Sequence, residues 1–195
     1  MNIKLSIVIP TYNPTSIFYS NINKLNQLCK KSKDTEIIII DDYSNRKIKI
    51  DKNSHHGLTL IRNKKNYGPG FSRNIGIRKS NGEYILFLDS DDILANNSIK
   101  TIFKYLNEYK KVELFGYDHK LLINKKVINY NCSDKFFNNK NLILNNFLSS
   151  STDTSAIFYV FKKSFLEDNN IFFKKGVHED ILFMFKVFFY VRKKQ

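Results

Sequence analysis

Cysteine, proline, glycine and acidic residues are all scarce in this chain, and tryptophan is absent: 195 residues hold two Cys, three Pro and seven Gly. Cys29 and Cys132 are too few for a disulfide framework and too distant in sequence for a CxxC metal site, so a reducing compartment is expected. No linker rich in Pro, Gly or Ser divides the chain, which reads as one domain in two unequal lobes, residues 1–110 and 111–195. No apolar run approaches the roughly 20 residues of a membrane-spanning helix. The first such run, Leu5 to Pro10, is strand-length and has no basic leader before it, so secretion is not expected. The 18 Asp and Glu stand against 32 Lys and Arg, a net charge of +14. Such a surface attracts polyanions: nucleic acid, anionic lipid or a phosphorylated substrate. Arginine, however, occurs only at 46, 62, 73, 78 and 192. Base reading leans on the arginine fork, so no nucleic acid is expected as a partner.

Several motifs are also missing. No GxxxxGK[ST] appears, and no GxGxxG follows the first apolar run; Gly68-Pro69-Gly70 lacks a third glycine. No serine lies in a GxSxG elbow. His55, His56, His119 and His178 have no zinc spacing, and His55-His56 falls in a polar loop expected to be exposed.

What is present is 42% apolar and 14% aromatic residues, enough for a sizeable core. Leu5–Pro10, Ile37–Ile40, Leu58–Ile61 and Tyr84–Leu88 are short apolar runs bounded by turn residues and read as buried strands. Helical spacing of Ile17, Phe18, Ile22, Leu25 and Leu28 predicts a helix to Lys31. Pro69 opens a second helix, to about Lys79. A third, from about Asn97 to Tyr109, carries Ile99, Ile102, Phe103 and Leu106 on one face. Strands are expected at Val112–Tyr117, at Leu121–Ile128 with a turn near Asn124, and at Ala156–Phe161. Helices are expected at Asn139–Phe147 and His178–Val191. The alternation predicts an α/β fold: an open, mostly parallel sheet with helices on both faces, plus a smaller second lobe.

In such a sheet, ligands bind beyond the carboxyl ends of the strands. Three polar clusters fall there: Pro10-Thr11-Tyr12-Asn13, Asp41-Asp42, and Asp89-Ser90-Asp91-Asp92. One Asp after a strand is an ordinary turn former or helix cap. A cap needs one carboxylate, whereas this tetrad has three. In extended chain Asp89 and Asp91 would share a face. Their oxygen-only donors favour Mg²⁺ or Mn²⁺, either of which leaves positions open for phosphate oxygens.

The runs LSIVIPTYNP, EIIIIDDYS, NYGPGFSRNIGIRKSNGEYILFLDSDD and GVHEDILF resemble family 2 glycosyltransferases of the GT-A fold. The resemblance spans residues 3–95 closely and 176–185 by one motif. It implies a Rossmann-like nucleotide-sugar-binding half at 1–110 and an acceptor-side half at 111–195. Pro10, Thr11 and Tyr12 are implied to flank the uracil of a UDP-sugar, and Asp42 to accept from the uracil N–H. Arg73 is implied to lie near the diphosphate, and Asp89-Ser90-Asp91 to be the DXD motif. Asp91 and Asp92 share the metal and ribose roles in an order left open. Asp180 is implied as the general base, with Glu179 its rival. The implied reaction moves a hexose or N-acetylhexosamine, with inversion, to a hydroxyl of a glycan or lipid-linked saccharide, in a bacterial surface-glycan setting such as lipooligosaccharide or capsule.

The implied place is the cytoplasm, at the inner face of the membrane. From Ile181 to Val191 every residue but Lys186 is apolar, with Arg192-Lys193-Lys194 following. That stretch reads as a core helix of a shortened chain or, alternatively, as an interfacial helix on anionic membrane. Three rivals remain at this stage. One is a nucleotide-binding fragment without activity, and another a basic nucleic-acid-binding module. The third is a sugar nucleotidyltransferase, which would need a glycine-rich loop where Pro10–Pro14 stands.

Overall fold

Uninterrupted aliphatic runs build the centre of the sheet in this computed structural model. It describes residues 3–30, 32–51, 57–109, 112–123, 126–130, 145–149, 154–176 and 178–191. Strands β1 (Leu5–Thr11) and β2 (Thr35–Asp41) are buried at every position. Strand β3 (Leu58–Arg62) pairs beside β2, and β4 (Tyr84–Phe87) pairs on the far side of β1, all four parallel. The remaining sheet strands are β5 (Leu114–Gly116) and β8 (Tyr159–Lys162), in the order β3-β2-β1-β4-β8-β5. Strand β8 runs antiparallel to both its neighbours. A separate hairpin joins β6 (His119–Ile123) to β7 (Lys126–Tyr130).

Side chains alternate across this sheet, and both faces are covered. Leu5, Ile7, Ile9, Ile37 and Ile39 pack with Phe18, Ile22 and Leu25 of α1 (Ser16–Cys29) and with Ile99, Ile102 and Leu106 of α3 (Ser98–Glu108). Val8, Ile38, Ile40 and Phe87 face the other layer. It contains α2 (Pro69–Lys79), α4 (Lys163–Asp168) and α5 (Glu179–Tyr190). Helix α2 lies so close to the sheet that a Cβ at Gly76 would fall 2.1 Å from Val8 Cγ1. Glycine there permits the approach, since a closely packed core has no room for a methyl.

The expected α/β sheet with helices on both faces is the fold observed. The differences are local. Ile17 is exposed, because it precedes Phe18 by one residue and so points away from the buried stripe. Helix α1 ends at Cys29, and Lys31 lies outside the described residues. Of the helix expected at Asn139–Phe147, residues 145–148 are helical and 139–144 lie outside the described residues. Asn124, the expected hairpin turn, lies outside them too, as do Cys132 and the His55-His56 pair. Ala156–Phe158 forms a single 3₁₀ turn before β8, with the Phe158 N–H donating to the Ser155 carbonyl. Helix α4 has no counterpart in the sequence reading. It is six residues long, anchored by buried Phe165 and Leu166 and by a Lys163–Glu167 ion pair at 3.5 Å.

Candidate functional site

Strand order locates the site. From β1 the chain steps outward to β2 and β3, then returns to place β4 on the other side of β1. Connections therefore leave the carboxyl ends of β1 and β4 in opposite directions, and a crevice opens between them. A cleft of about 310 Å³ lies there. Its lining includes Pro10, Thr11, Tyr12, Asp42, Arg73, Asp89, Ser90 and Asp91, eight residues singled out from sequence, together with Asn66, Gly68 and Pro69. Asp92 and Asp180 are not in that lining.

Thr11 ends β1, 4% exposed, and its Oγ1 is buried without a hydrogen-bond partner. A hydroxyl in that position costs free energy unless something in the cleft completes it. Tyr12, one residue on, is exposed at the rim.

Asp41 and Asp42 divide their work. Asp41 pairs with Arg62 and accepts the Ser44 N–H at 2.8 Å. Asp42 accepts from Asn63 Nδ2 at 2.6 Å, from the Tyr67 N–H at 3.0 Å and from the Gly68 N–H at 2.7 Å. These bonds hold the segment from β3 to α2 against the end of β2. They also allow Gly68, at φ +92°, to sit as the N-cap before Pro69. Asn66 and Gly68 reach the cleft through this anchoring. The signal in the sequence was the loop composition, and the side-chain to backbone bonds could not be read from it.

Arg73, on the second turn of α2, is 6% exposed and gathers three carboxylates. Its guanidinium donates to Asp89 Oδ1 at 2.7 Å and to Asp180 Oδ1 at 3.3 Å, and lies 3.7 Å from Glu179 Oε1. Ser155 Oγ donates to the other oxygen of Asp180 at 3.0 Å. The start of α5 is thus tied to the ends of β4 and α2, bringing together Arg73, Asp89 and Asp180 from three distant stretches. Glu179 joins them. Burial pushes its carboxyl above the usual range, against the lowering effects of the Gly70 N–H and Arg73. A Cβ on Gly70 would lie 2.4 Å from Glu179 Oε2, so that glycine makes room for the carboxylate.

The acidic tetrad does not adopt the extended geometry expected of it. Asp92 N–H donates to the Asp89 carbonyl at 3.1 Å, closing a turn, so Asp89 and Asp91 are not on one strand face. The following helix starts at Ser98 with Asn97 as its N-cap, so neither Asp91 nor Asp92 serves as a cap. Desolvation, and then the charges of Asp89 and Asp91, push the Asp92 carboxyl up to about 6. Among the described residues, no group of three or more His, Cys, Asp or Glu side chains could by itself hold a metal ion.

The raised Asp92 value makes a stability prediction. Between pH 3.8 and about 6 the folded state binds the extra proton, so this group's contribution to stability falls as pH rises through that window. Asp92→Asn is expected to raise the melting temperature at pH 7.5 and to leave it unchanged near pH 3.5. Thermal melts across that range read the difference. An equal shift at both pH values would sink the assignment.

Residues 6–173 match the family model described as glycosyl transferase family 2. The chain is 30% identical over 191 residues to the poly(ribitol-phosphate) beta-N-acetylglucosaminyltransferase TarP of Staphylococcus aureus, covering 92% of this chain and 56% of TarP. It is 35% identical over 144 residues to an uncharacterized glycosyltransferase of Haemophilus influenzae, covering 67% of this chain and 57% of that protein. The crystal structure of S. aureus TarS 1–349 in complex with UDP-GlcNAc superposes with a TM-score of 0.77 at 22% identity, over 98% of this chain and 55% of that one. The chain spans about half the length of these relatives.

Proposed function

The chain belongs to glycosyl transferase family 2, and on that premise we propose that its cleft takes a UDP-sugar. We further propose that the enzyme passes the hexose or N-acetylhexosamine, with inversion, to a hydroxyl of a glycan or lipid-linked acceptor. The observation that carries this reading is the convergence of Thr11, Asp42, Arg73 and the Asp89–Asp91 turn on one cleft at the switch point of the sheet. The name of TarP, a beta-N-acetylglucosaminyltransferase, and the UDP-GlcNAc complex of TarS support the donor class. Residues 1–110 supply the donor side and 111–195 the acceptor side. The place of action is the cytoplasm, at the inner face of the membrane; among the described residues no helix is long and apolar enough to cross it.

In this reading Pro10, Thr11 and Tyr12 receive the base, Tyr12 by stacking and Thr11 through its unpartnered hydroxyl. Asp42 receives the uracil N–H, its carboxylate already oriented by Asn63, Tyr67 and Gly68. Electrostatics argues for a cation. Asp89, Glu179 and Asp180 lie against a single guanidinium, Arg73, and Asp42 and Asp91 line the same cleft. A diphosphate entering that field would be repelled. Asp91 and Asp92 would hold Mn²⁺ or Mg²⁺, both suited to oxygen donors. When bound, the ion supplies Lewis-acid neutralisation of the leaving diphosphate. Arg73 adds a fixed positive charge on the inner side. Asp180, oriented by Arg73 and Ser155, takes the proton from the acceptor hydroxyl as its oxygen attacks the anomeric carbon and UDP departs. A single displacement of this kind inverts the anomeric configuration.

Calorimetric titration of UDP into the chain, with Mn²⁺ and then with EDTA, tests the donor half. Metal-dependent binding that GDP and ATP do not reproduce is expected. Absence of binding in both conditions, or equal binding of GDP, would overturn the donor assignment.

A further inference from the structure

The loops that leave β1 and β2 beside the cleft are fastened to each other by bonds that the proposed reaction does not use. Ser44 is 1% exposed, and three of its polar groups are engaged. Its N–H donates to Asp41 Oδ1 at 2.8 Å, its carbonyl accepts from Arg62 Nη2 at 2.7 Å, and its Oγ accepts the Asn13 N–H at 2.9 Å. Asn13 answers in the other direction, its Oδ1 accepting the Asn45 N–H at 2.8 Å. Arg62 also pairs with Asp41 and lies over the Tyr43 ring, 5.0 Å from its centroid. The result is a clasp across the two loops.

Backbone strain gathers in the same place. Among the described residues four that are not glycine have positive φ, and two of them are here: Asn13 at +47° and Tyr43 at +68°. Asparagine tolerates that region, whereas a tyrosine enters it at a cost and stays only where its surroundings over-determine it. The bonds of Ser44 and the contact with Arg62 supply that constraint.

What the clasp holds is Tyr12. In the peptide before Tyr12, the Thr11 carbonyl accepts the Asp42 N–H at 2.8 Å. In the peptide after it, the Asn13 N–H donates to Ser44. Both peptides are therefore tied to the loop after β2, while the Tyr12 side chain stays half exposed on the wall of the cleft. An aromatic residue on a fixed backbone loses little freedom when a flat base stacks on it, and that gain in affinity goes when the support goes. We propose that Ser44 and Asn13 are positioning residues for the base of the donor, acting through Tyr12. This purpose rests on the UDP-sugar reading above; the support of Tyr12 does not.

Calorimetric titration of UDP with Mn²⁺ tests it, on the unsubstituted chain, Ser44→Ala, Asn13→Gly, Tyr12→Ala and the double variant Tyr12→Ala with Ser44→Ala. Ser44→Ala and Asn13→Gly are each expected to bind UDP about tenfold more weakly. Glycine is unstrained at φ +47°, so Asn13→Gly keeps the test open should Ser44→Ala fail to fold. Added to Tyr12→Ala, the Ser44 substitution is expected to weaken binding no further, because the ring it positions is gone. Losses that add in full would mean that the clasp acts on the fold and not on Tyr12, and would overturn the proposal. So would unchanged affinity in both clasp variants. Amide hydrogen exchange reads the clasp without UDP. Ser44→Ala leaves Asn13 Oδ1 in place, yet the Asn45 N–H bonded to it is expected to exchange about tenfold faster. If the unsubstituted chain binds no UDP, the donor reading and the purpose drawn from it fall together, and faster Asn45 exchange still keeps the clasp as the support of Tyr12. An unchanged Asn45 amide would overturn that support as well.

Discussion

Asp180→Asn is expected to lower sugar transfer by about 10²–10⁴-fold, the range for loss of a general base, while leaving UDP binding intact or slightly tighter. The amide keeps the shape and can still meet Ser155, so the fold around the start of α5 should survive. It removes one of three negative charges around Arg73, which frees that guanidinium for a diphosphate. The separation of rate from affinity is the signature, read by comparing turnover with calorimetric UDP binding. Full turnover in Asp180→Asn would mean the base is another group, and Glu179, also against Arg73 and with a raised carboxyl, is then the residue to replace.

Arg73→Ala is expected to have the largest effect on stability. The guanidinium is 6% exposed, and its removal leaves Asp89, Glu179 and Asp180 facing one another. Stranding buried charge costs about 3–5 kcal/mol, and the partial exposure of these carboxylates lowers the expectation to roughly 2–3 kcal/mol. The sign with pH follows. Without Arg73 the Glu179 carboxyl, already raised by burial, loses a charge that lowers it, so its share of the variant's deficit is largest at neutral pH and shrinks as it protonates. Urea unfolding at pH 7.5 and 4.5 measures this, and a deficit independent of pH would refute the charge-hub account. Arg73→Lys should recover only part of the loss, because an ammonium cannot present the fork that spans Asp89 and Asp180. UDP binding should weaken about tenfold or more in Arg73→Ala, through the loss of a charge-assisted partner.

Much of the first half of the fold was legible, for a physical reason. Runs such as LSIVIPT and TEIIIID, buried along their whole length, can hardly be anything but central strands. Once they are strands, the rule that ligands sit beyond their carboxyl ends points to Thr11, Asp42 and Asp89 without further information. What escaped depends on bonds between a side chain and a distant backbone. The sequence shows that Asp42 follows a strand; that Tyr67 and Gly68 donate to it follows from how the chain returns after β3. The turn at Asp89–Asp92 escaped because residue spacing in an extended chain was the only guide, and the Asp92 N–H bond departs from it. Helix α4 was missed because six residues are too few for a period to register, and its helicity comes from burial of Phe165 and Leu166.

Strand β8 occupies the place between β4 and β5, although more than forty residues separate it from β5 in the chain. As the protein emerges from the ribosome, the parallel set β3-β2-β1-β4 can assemble while the outer edge of β4 still has no neighbour. That edge belongs to Tyr84–Phe87, four buried apolar residues with neither charge nor proline to discourage a foreign strand. Until Tyr159–Lys162 is synthesised, β5 too lacks the strand it pairs with. During that interval the open edge of β4 can pair with a foreign strand. The arrival of β8 ends it, just before synthesis reaches Glu179 and Asp180.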